Sequence, residues 1–421
     1  MGIIEDAVMM QRREAEDLLD RRYIDRDTAV KGRDSDLVKV IMGPRRSGKS
    51  TLALHTAGQN SFAYLNFDDE VLSEVEDYNR LLQAADEVYG DFDTLLLDEV
   101  QNLPKWELFV NRLQRQGYDL IVTGSNSKLL SRELATHLTG RHLPTYLFPL
   151  SFPEFMRWEK SDRDKEGFTS SEKKALLKEY IEKGGFPEPL VKEVSHTNYL
   201  KTLLDNIVYN DIVKRHDVRS YEALENLAVH LLSNIARPFS YNALKKATKV
   251  SSVETVENYL GYLEEAFLLF TVRRFSYKTK EHLRSKKKVY SIDPGFVHAK
   301  GFKVREDMGR LYENLVAVEL KKRALDGGGR LFYYKNDQGH ETDFVVKENE
   351  DIQKLIQVTY DISDEDTRKR EIRGLINASK NLRCKNLLVI TGDYEAVEQV
   401  SWHGTDRKIE FIPLWKWLLK E

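Results

Sequence analysis

Over residues 36–150, short apolar runs alternate with amphipathic ones. DLVKVIM, SFAYLNF, TLLLDEV, DLIVTGS and HLPTYLFPL predict five strands, and GKSTLALHTAG, LLQAADEVY, WELFVNRLQRQG and KLLSRELATHL predict the helices between them. Strands that are apolar throughout and separated by helices have both faces covered, which implies an α/β fold with a parallel sheet. From 151 to 220 the pattern is helical, interrupted by EKGGFPEPL. Residues 221–292 give three helical patterns and then a hairpin-like pair, LFTVRRFSYK and KKKVYSID. Residues 293–421 open on the amphipathic helix GRLYENLVAVELKKRAL, then RLFYYKN, ETDFVV and KLIQVTY as strands, the helix DTRKREIRGLINASKNL and the strand NLLVITGD. With no internal repeat or low-complexity tract, the chain is expected to form four parts, 1–150, 151–220, 221–292 and 293–421, joined by short linkers.

Composition narrows the picture only slightly. The 65 basic residues nearly match the 68 acidic ones, so any nucleic-acid surface must be a local patch. A single cysteine, Cys384, excludes a disulfide framework and a thiolate zinc site, and it suits a reducing compartment. No apolar run approaches the roughly 20 residues of a membrane span, and the start has no cleavable apolar core. The expectation is a cytoplasmic chain with no membrane partner.

The strongest chemistry lies in MGPRRSGKST. Gly43, Gly48, Lys49 and Ser50 have the G-x-x-x-x-G-K-[ST] spacing between a strand and a helix, the context of a P-loop. Gly43, Pro44, Arg45, Arg46, Ser47, Gly48, Lys49, Ser50 and Thr51 are therefore expected to cradle phosphates with backbone N–H groups at a positive helix end. Lys49 would reach the β- and γ-phosphates, and Ser50 would supply a hydroxyl to Mg2+. Asp98 and Glu99 end the apolar strand TLLLDEV. Asp98 would hold the metal and Glu99 would polarise the attacking water. The expected activity is hydrolysis of ATP or GTP.

IVTGSNS ends a neighbouring strand in small polar residues, and here the sequence resembles the AAA+ ATPases. The resemblance implies a polar sensor at Ser125 or Asn126, although both could simply cap the next helix. It also implies an arginine finger at Arg141, in HLTGRHLP, acting on a neighbouring copy's nucleotide in a homo-oligomer; a surface ion pair is the plainer reading. Arg132 is a weaker finger candidate. No second sensor arginine is found in the helical lid. GGFPEPL is similar to the Gly-Pro element that begins the lid in signalling-type relatives, which would bring Gly184, Gly185 and Pro187 to the nucleotide, or else it is an ordinary turn. Together, MGPRRSGKS, YLNFDD, LLLDEVQNLPKWE, VTGSNSKLLS, LFPLSFPEF, GGFPEP and KKVYSIDPGF resemble the archaeal and bacterial ATPases whose AAA+ core precedes a domain of unknown function 4143.

The helical patterns and hairpin of 221–292 read as a winged helix. In its third helix Val253, Val256, Leu260, Leu263 and Phe267 form the buried stripe, and Glu254, Glu257, Glu264 and Glu265 make the other face acidic. Acidic groups would be repelled by phosphates, so DNA contact would fall to the wing. Residues 273–300 hold nine Lys and Arg against two acids. Arg273, Arg274, Lys278, Lys280, Arg284, Lys286, Lys287 and Lys288 are candidates for a phosphate-binding strip, or for lysines that guard an edge strand against aggregation.

The helix–strand–strand–strand order of the last part resembles the PD-(D/E)XK restriction-endonuclease-like fold. The resemblance places Glu313 as the helix acid and Asp343 as the strand acid. Gln357 stands where the family has Glu, and Thr359 where it has Lys. Period two puts Gln357 and Thr359 on one face, so position is kept while charge is lost. Removing a cation aimed at developing charge costs on the order of 3 kcal/mol. Glu341 could add a second carboxylate, and Arg368, Lys369 or Arg370 could stand in for the lysine. The overall expectation is an Mg2+-dependent ATPase switch that binds DNA through the wing and carries a degenerate nuclease-like end. A protein-interaction module without nucleic acid, and an active ATP-regulated nuclease, are the alternatives.

Overall fold

The computed structural model describes residues 2–58, 61–126, 138, 140–161, 167–278, 281, 285–301, 307–402 and 404–420. It divides into two compact units. One comprises Met1–Leu150, Phe186–Glu193 and Glu265–Phe267; the other comprises Ser151–Gly185, Val194–Glu264 and Leu268–Glu421.

In the first unit the elements run α1 (Ile3–Asp20), β1 (Val38–Met42), α2 (Lys49–Ala57), β2 (Phe62–Asn66), α3 (Tyr78–Tyr89), β3 (Thr94–Asp98), α4 (Trp106–Arg115), β4 (Asp119–Gly124) and β5 (His142–Tyr146). Every strand pair is parallel and the spatial order is β2-β3-β4-β1-β5, as expected of strands alternating with covering helices. β1 and β3 are buried at every position, which is why their sequences do not alternate. The polar exception in β1 is Lys39, whose ammonium pairs with Asp119 and donates to the Ser35 carbonyl at 2.7 Å. Asp77 caps α3 by accepting from the Asn79 N–H, and the α3 residues Leu81, Ala84 and Ala85 join Val40, Leu65, Leu97 and Val122 in the core. The helix expected over 128–138 lies outside the described residues except for Leu138.

The second unit contains α5 (Phe152–Ser161), α6 (Ser170–Lys183), α7 (His196–Asn206), α8 (Tyr221–Leu232), β6 (Pro238–Phe239), α9 (Tyr241–Thr248), α10 (Val253–Glu265), β7 (Leu269–Arg274), β8 (Lys287–Ser291), α11 (Pro294–Lys300) and α12 (Met308–Leu325). β9 (Arg330–Lys335), β10 (Glu341–Glu348), β11 (Asp351–Thr359), α13 (Glu365–Leu382), β12 (Leu387–Thr391), β13 (Ala396–Trp402), β14 (Thr405–Pro413) and α14 (Leu414–Leu418) complete it. The α10 stripe is buried at Val256, Leu260 and Leu263, while Glu254 and Glu257 face solvent.

One expectation changes here. The β7–β8 hairpin does not project as a free wing. It lies inside a nine-stranded sheet of order β13-β14-β12-β11-β10-β9-β7-β8-β6, because Arg273 and Arg274 of β7 pair in parallel with Phe332 and Tyr333 of β9. The Phe275 N–H continues the pairing to the Tyr333 carbonyl at 2.7 Å. Strands from 221–292 and from 293–421 thus share one sheet. Phe275, at the end of β7, is buried in the core with Val345, Leu355, Leu375, Val389 and Phe411. Among the described residues no helix is long and apolar enough to cross a membrane.

Candidate functional site

In the first unit β1 ends at Met42 and the chain turns through the glycine-rich loop into α2. A Cβ on Gly43 would lie 2.0 Å from the Leu147 carbonyl oxygen, so only glycine fits there. Gly48 has φ +95°, the left-handed region that glycine enters without strain, and it caps α2. Lys49, at the first position of α2, is 3 % exposed; its ammonium donates to the Pro44 carbonyl at 3.1 Å and lies 3.3 Å from Glu99 Oε1.

β3 brings the two acids to the same place. Asp98 accepts from the Tyr64 hydroxyl at 2.7 Å, from Thr123 Oγ1 and from Ser50. Burial and the neighbouring Glu99 push its carboxyl above the usual range, against those hydrogen bonds. Glu99 sits at φ +48°, an unusual conformation for a non-glycine residue, and its N–H donates to Thr123 Oγ1 at 3.0 Å. Burial works to raise its pKa, but Lys49 and the Gln101 amide outweigh that and hold it at about 2. Gln101 donates to Glu99 Oε2 at 2.5 Å and lies 3.4 Å from Ser125 Oγ, which ties the end of β4 to the acid. Ser125 and Asn126 are both buried at that strand end. Arg141 immediately precedes β5 with its side chain exposed; Arg132 lies outside the described residues.

A cleft of about 420 Å3 runs along this loop, lined by Lys49, Ser50, Asp98 and Glu99 and also by Tyr23, Ile24, Pro187 and Val191. Pro187 is among the residues that line the cleft. Within the second unit, the Gly185 N–H donates to buried Asp293 Oδ2 at 2.7 Å. Sequence reasoning passed over Arg26. Its guanidinium donates to the Ser47 carbonyl at 2.9 Å and the Phe148 carbonyl at 2.7 Å, clamping the loop to the chain after β5. A charged hydrogen bond contributes roughly 1.5–3 kcal/mol. Arg26→Ala is accordingly expected to raise KM for ATP about 10-fold, with kcat changed much less; steady-state kinetics separate the two.

Comparison with known proteins places this geometry in a family. Residues 35–156 match the AAA domain family, 174–306 a domain of unknown function (DUF8612) and 308–417 another (DUF4143). The uncharacterized protein MJ1544 of Methanocaldococcus jannaschii is 36% identical over 425 residues, covering 96% of this chain and 94% of that protein. The chain belongs to the family of this protein and carries an AAA ATPase domain over residues 35–156. An uncharacterized protein of Haemophilus influenzae is 31% identical over 414 residues, covering 93% of this chain and 96% of its own length. Among solved structures, Aeropyrum pernix ORC1 in complex with DNA aligns at 13% identity and TM-score 0.34, over 75% of this chain and 94% of that one. Cdc6p of Pyrobaculum aerophilum aligns at 11% identity and TM-score 0.29, over 72% and 98%. Similarity that remote transfers neither a ligand nor an assembly.

The second unit of this AAA ATPase holds a separate polar cluster. Glu313 of α12 and Glu341 and Asp343 of β10 converge, as the sequence anticipated, but on the ammonium of Lys288, at 2.8, 2.8 and 3.0 Å. Lys288 was expected on an exposed basic strip. It is buried because it alternates with Lys287 along β8, on the same side as Tyr290, whose hydroxyl donates to Glu313 at 2.7 Å. Burial disfavours its charge, yet the carboxylates raise its pKa well above the ordinary lysine value.

Gln357 joins the cluster as a donor, giving N–H groups to Asp343 Oδ2 and to Glu371 at 2.7 Å each. Glu371, on α13, was not anticipated. Thr359 turns away and donates to the Asp361 carbonyl at 3.0 Å. Neither Arg368 nor Lys369 replaces the missing lysine: they pair with Glu398 and Glu365, while Arg370 pairs with Glu371 at 2.7 Å. Among the described residues no group of three or more acidic, histidine or cysteine side chains is arranged to hold a metal ion.

Burial and Asp343 raise Glu313 to about 8, against Lys288 and Tyr290. An acid whose folded pKa exceeds its unfolded one holds its proton more tightly when folded, so stability falls as pH rises from about 4.5 to about 8. The slope cannot exceed about 1.4 kcal/mol per pH unit. Glu313→Gln is expected to remove this contribution, read from denaturant melts across that window.

The remaining basic candidates divide. Lys278 and Lys286 are exposed and Arg273, Arg274 and Lys287 half-buried. Lys278 pairs with Glu281 at 2.7 Å, and Lys287 donates to the Tyr241 hydroxyl at 2.8 Å. Lys280 and Arg284 lie outside the described residues.

Proposed function

We propose that this ATPase is a Mg2+-dependent, nucleotide-driven switch. The observation that carries the reading is the gathering of Lys49, Ser50, Asp98 and Glu99 on one cleft at the ends of β1 and β3. The loop N–H groups and Lys49 would bind the phosphates, while Tyr23, Ile24, Pro187 and Val191 offer an aromatic and apolar wall for a base. Asp98 and Ser50 fit a hard cation, being a buried carboxylate and a hydroxyl already in mutual contact. Bound there, Mg2+ would offset charge on the phosphates. Glu99 would orient the attacking water, with Gln101 and Ser125 fixing its side chain. Arg141 would act on the nucleotide of a neighbouring copy, which makes a homo-oligomer the active form.

The order α8, α9, α10, β7, β8 supports a winged-helix reading of 221–292, and α12 followed by β9, β10 and β11 supports a PD-(D/E)XK-like reading of 293–421. DNA would meet the exposed Lys278 and Lys286 and the half-buried Arg273, Arg274 and Lys287 through its phosphate backbone. Filter binding at several salt concentrations, with and without a non-hydrolysable ATP analogue, tests this. The expected result is affinity that falls with salt and changes with the analogue; a slope near zero removes DNA as a partner. The acidic exposed face of α10, at Glu254 and Glu257, favours a second reading in which the switch acts on a protein partner. That reading predicts a full ATPase rate without DNA.

A further inference from the structure

The point where Glu313, Glu341 and Asp343 converge is filled by an ammonium with three N–H donors, one for each carboxylate. Glu313 from α12 and Glu341 and Asp343 from β10 bring the donor type that a hard divalent cation takes, but they are spaced around an ammonium and not as metal ligands. Here the separations are 2.8, 2.8 and 3.0 Å, lengths of charged N–H···O bonds rather than of metal–oxygen bonds. We propose that Lys288 is the built-in cation of this site, standing where a divalent metal ion would bind, so that the native chain takes no metal there.

The surroundings match a site completed by its own lysine. The Lys288 side chain is 2 % exposed, and the Tyr333 ring faces the ammonium at 5.5 Å. Its backbone is fixed on both sides, paired with Val272 of β7 and Pro238 of β6. Asp343 Oδ2, which a metal could otherwise share, accepts from Gln357 Nε2 at 2.7 Å and from the Val358 N–H at 3.0 Å. Gln357 Oε1, the atom with which an amide would ligate a metal, lies 3.3 Å from the Asp343 N–H. An entering metal would have to expel a buried ammonium from the carboxyl groups it pairs with, which is strongly unfavourable. The ion pairs instead pin β8 to α12 and β10, so the cluster is a junction in the fold and does no phosphodiester chemistry. This inference is independent of the nucleotide reading, since none of its residues belongs to the P-loop unit.

The test is Mn2+ binding by the full chain without nucleotide at pH 8, followed by electron paramagnetic resonance of free Mn2+. The Asp343→Asn variants identify which binding belongs to this site. Wild type and Asp343→Asn are expected to bind equally. Lys288→Met should gain about one Mn2+ per chain, and Lys288→Met/Asp343→Asn should lose it again. Thermal melts give a second readout: Mn2+ should raise the midpoint of Lys288→Met and leave the wild type's unchanged. Asp343-dependent Mn2+ binding by the wild type would overturn the proposal, because the lysine would then yield to metal. A folded Lys288→Met with no gain would overturn it too, as would a Lys288→Met chain that stays unfolded when Mn2+ is supplied.

Discussion

Glu99→Gln is expected to bind ATP about as tightly as the wild type and to hydrolyse it some 10²- to 10⁴-fold more slowly. The substitution keeps the shape and the hydrogen-bonding reach of the side chain and removes only its charge. Glu99 is positioned for this by local strain: its left-handed backbone at the end of β3 is held through Thr123, and Gln101 fixes the carboxylate. With Lys49 at 3.3 Å and a pKa of about 2, the carboxylate is a weak proton acceptor as it stands. On the proposed reading it would orient and polarise water. Single-turnover hydrolysis beside equilibrium ATP binding separates the two effects. A variant that loses binding as well as turnover would assign Glu99 to holding Lys49 and not to the chemical step.

Arg141→Ala should cost on the order of 10³-fold in turnover, the scale of a finger that stabilises transition-state charge. Its exposed side chain immediately before β5 suits a group that acts outside its own chain. Complementation is the discriminating measurement. Lys49→Ala keeps the finger and loses the phosphate site, whereas Arg141→Ala does the reverse, so a mixture should regain activity that neither has alone. An unchanged rate for Arg141→Ala, or no recovery on mixing, would reduce Arg141 to a surface residue and remove the main reason to expect an active oligomer.

Much of the nucleotide site was legible in the sequence because its geometry is local. Gly43 to Thr51 are consecutive, and the apolar run ending at Asp98 identifies the strand that carries the acids. The residues that tune the site were not legible. Tyr64, Gln101, Thr123 and Arg26 contact it from other strands and loops, and nothing in their own surroundings marks them. The basic segment shows the opposite failure. Its composition suggested one exposed strip, but alternation along β8 sends Lys287 toward Tyr241 and Lys288 into the carboxylates. The alternation of Lys288 with Tyr290 was a readable signal for an inward lysine, outweighed by the run of positive charge around it. Asp343, Glu313 and Glu341 do converge, but the cation they meet comes from a strand that pairing puts in the same sheet, which no local pattern reveals.

The measurement that bears most directly on the account is phosphate release from ATP by purified wild type and Lys49→Ala, each with Mg2+ and with excess chelator. Turnover by the wild type that requires Mg2+ and falls at least about 10²-fold in Lys49→Ala is the predicted result. Equal rates from the two chains, or a wild-type rate indifferent to the chelator, would contradict it.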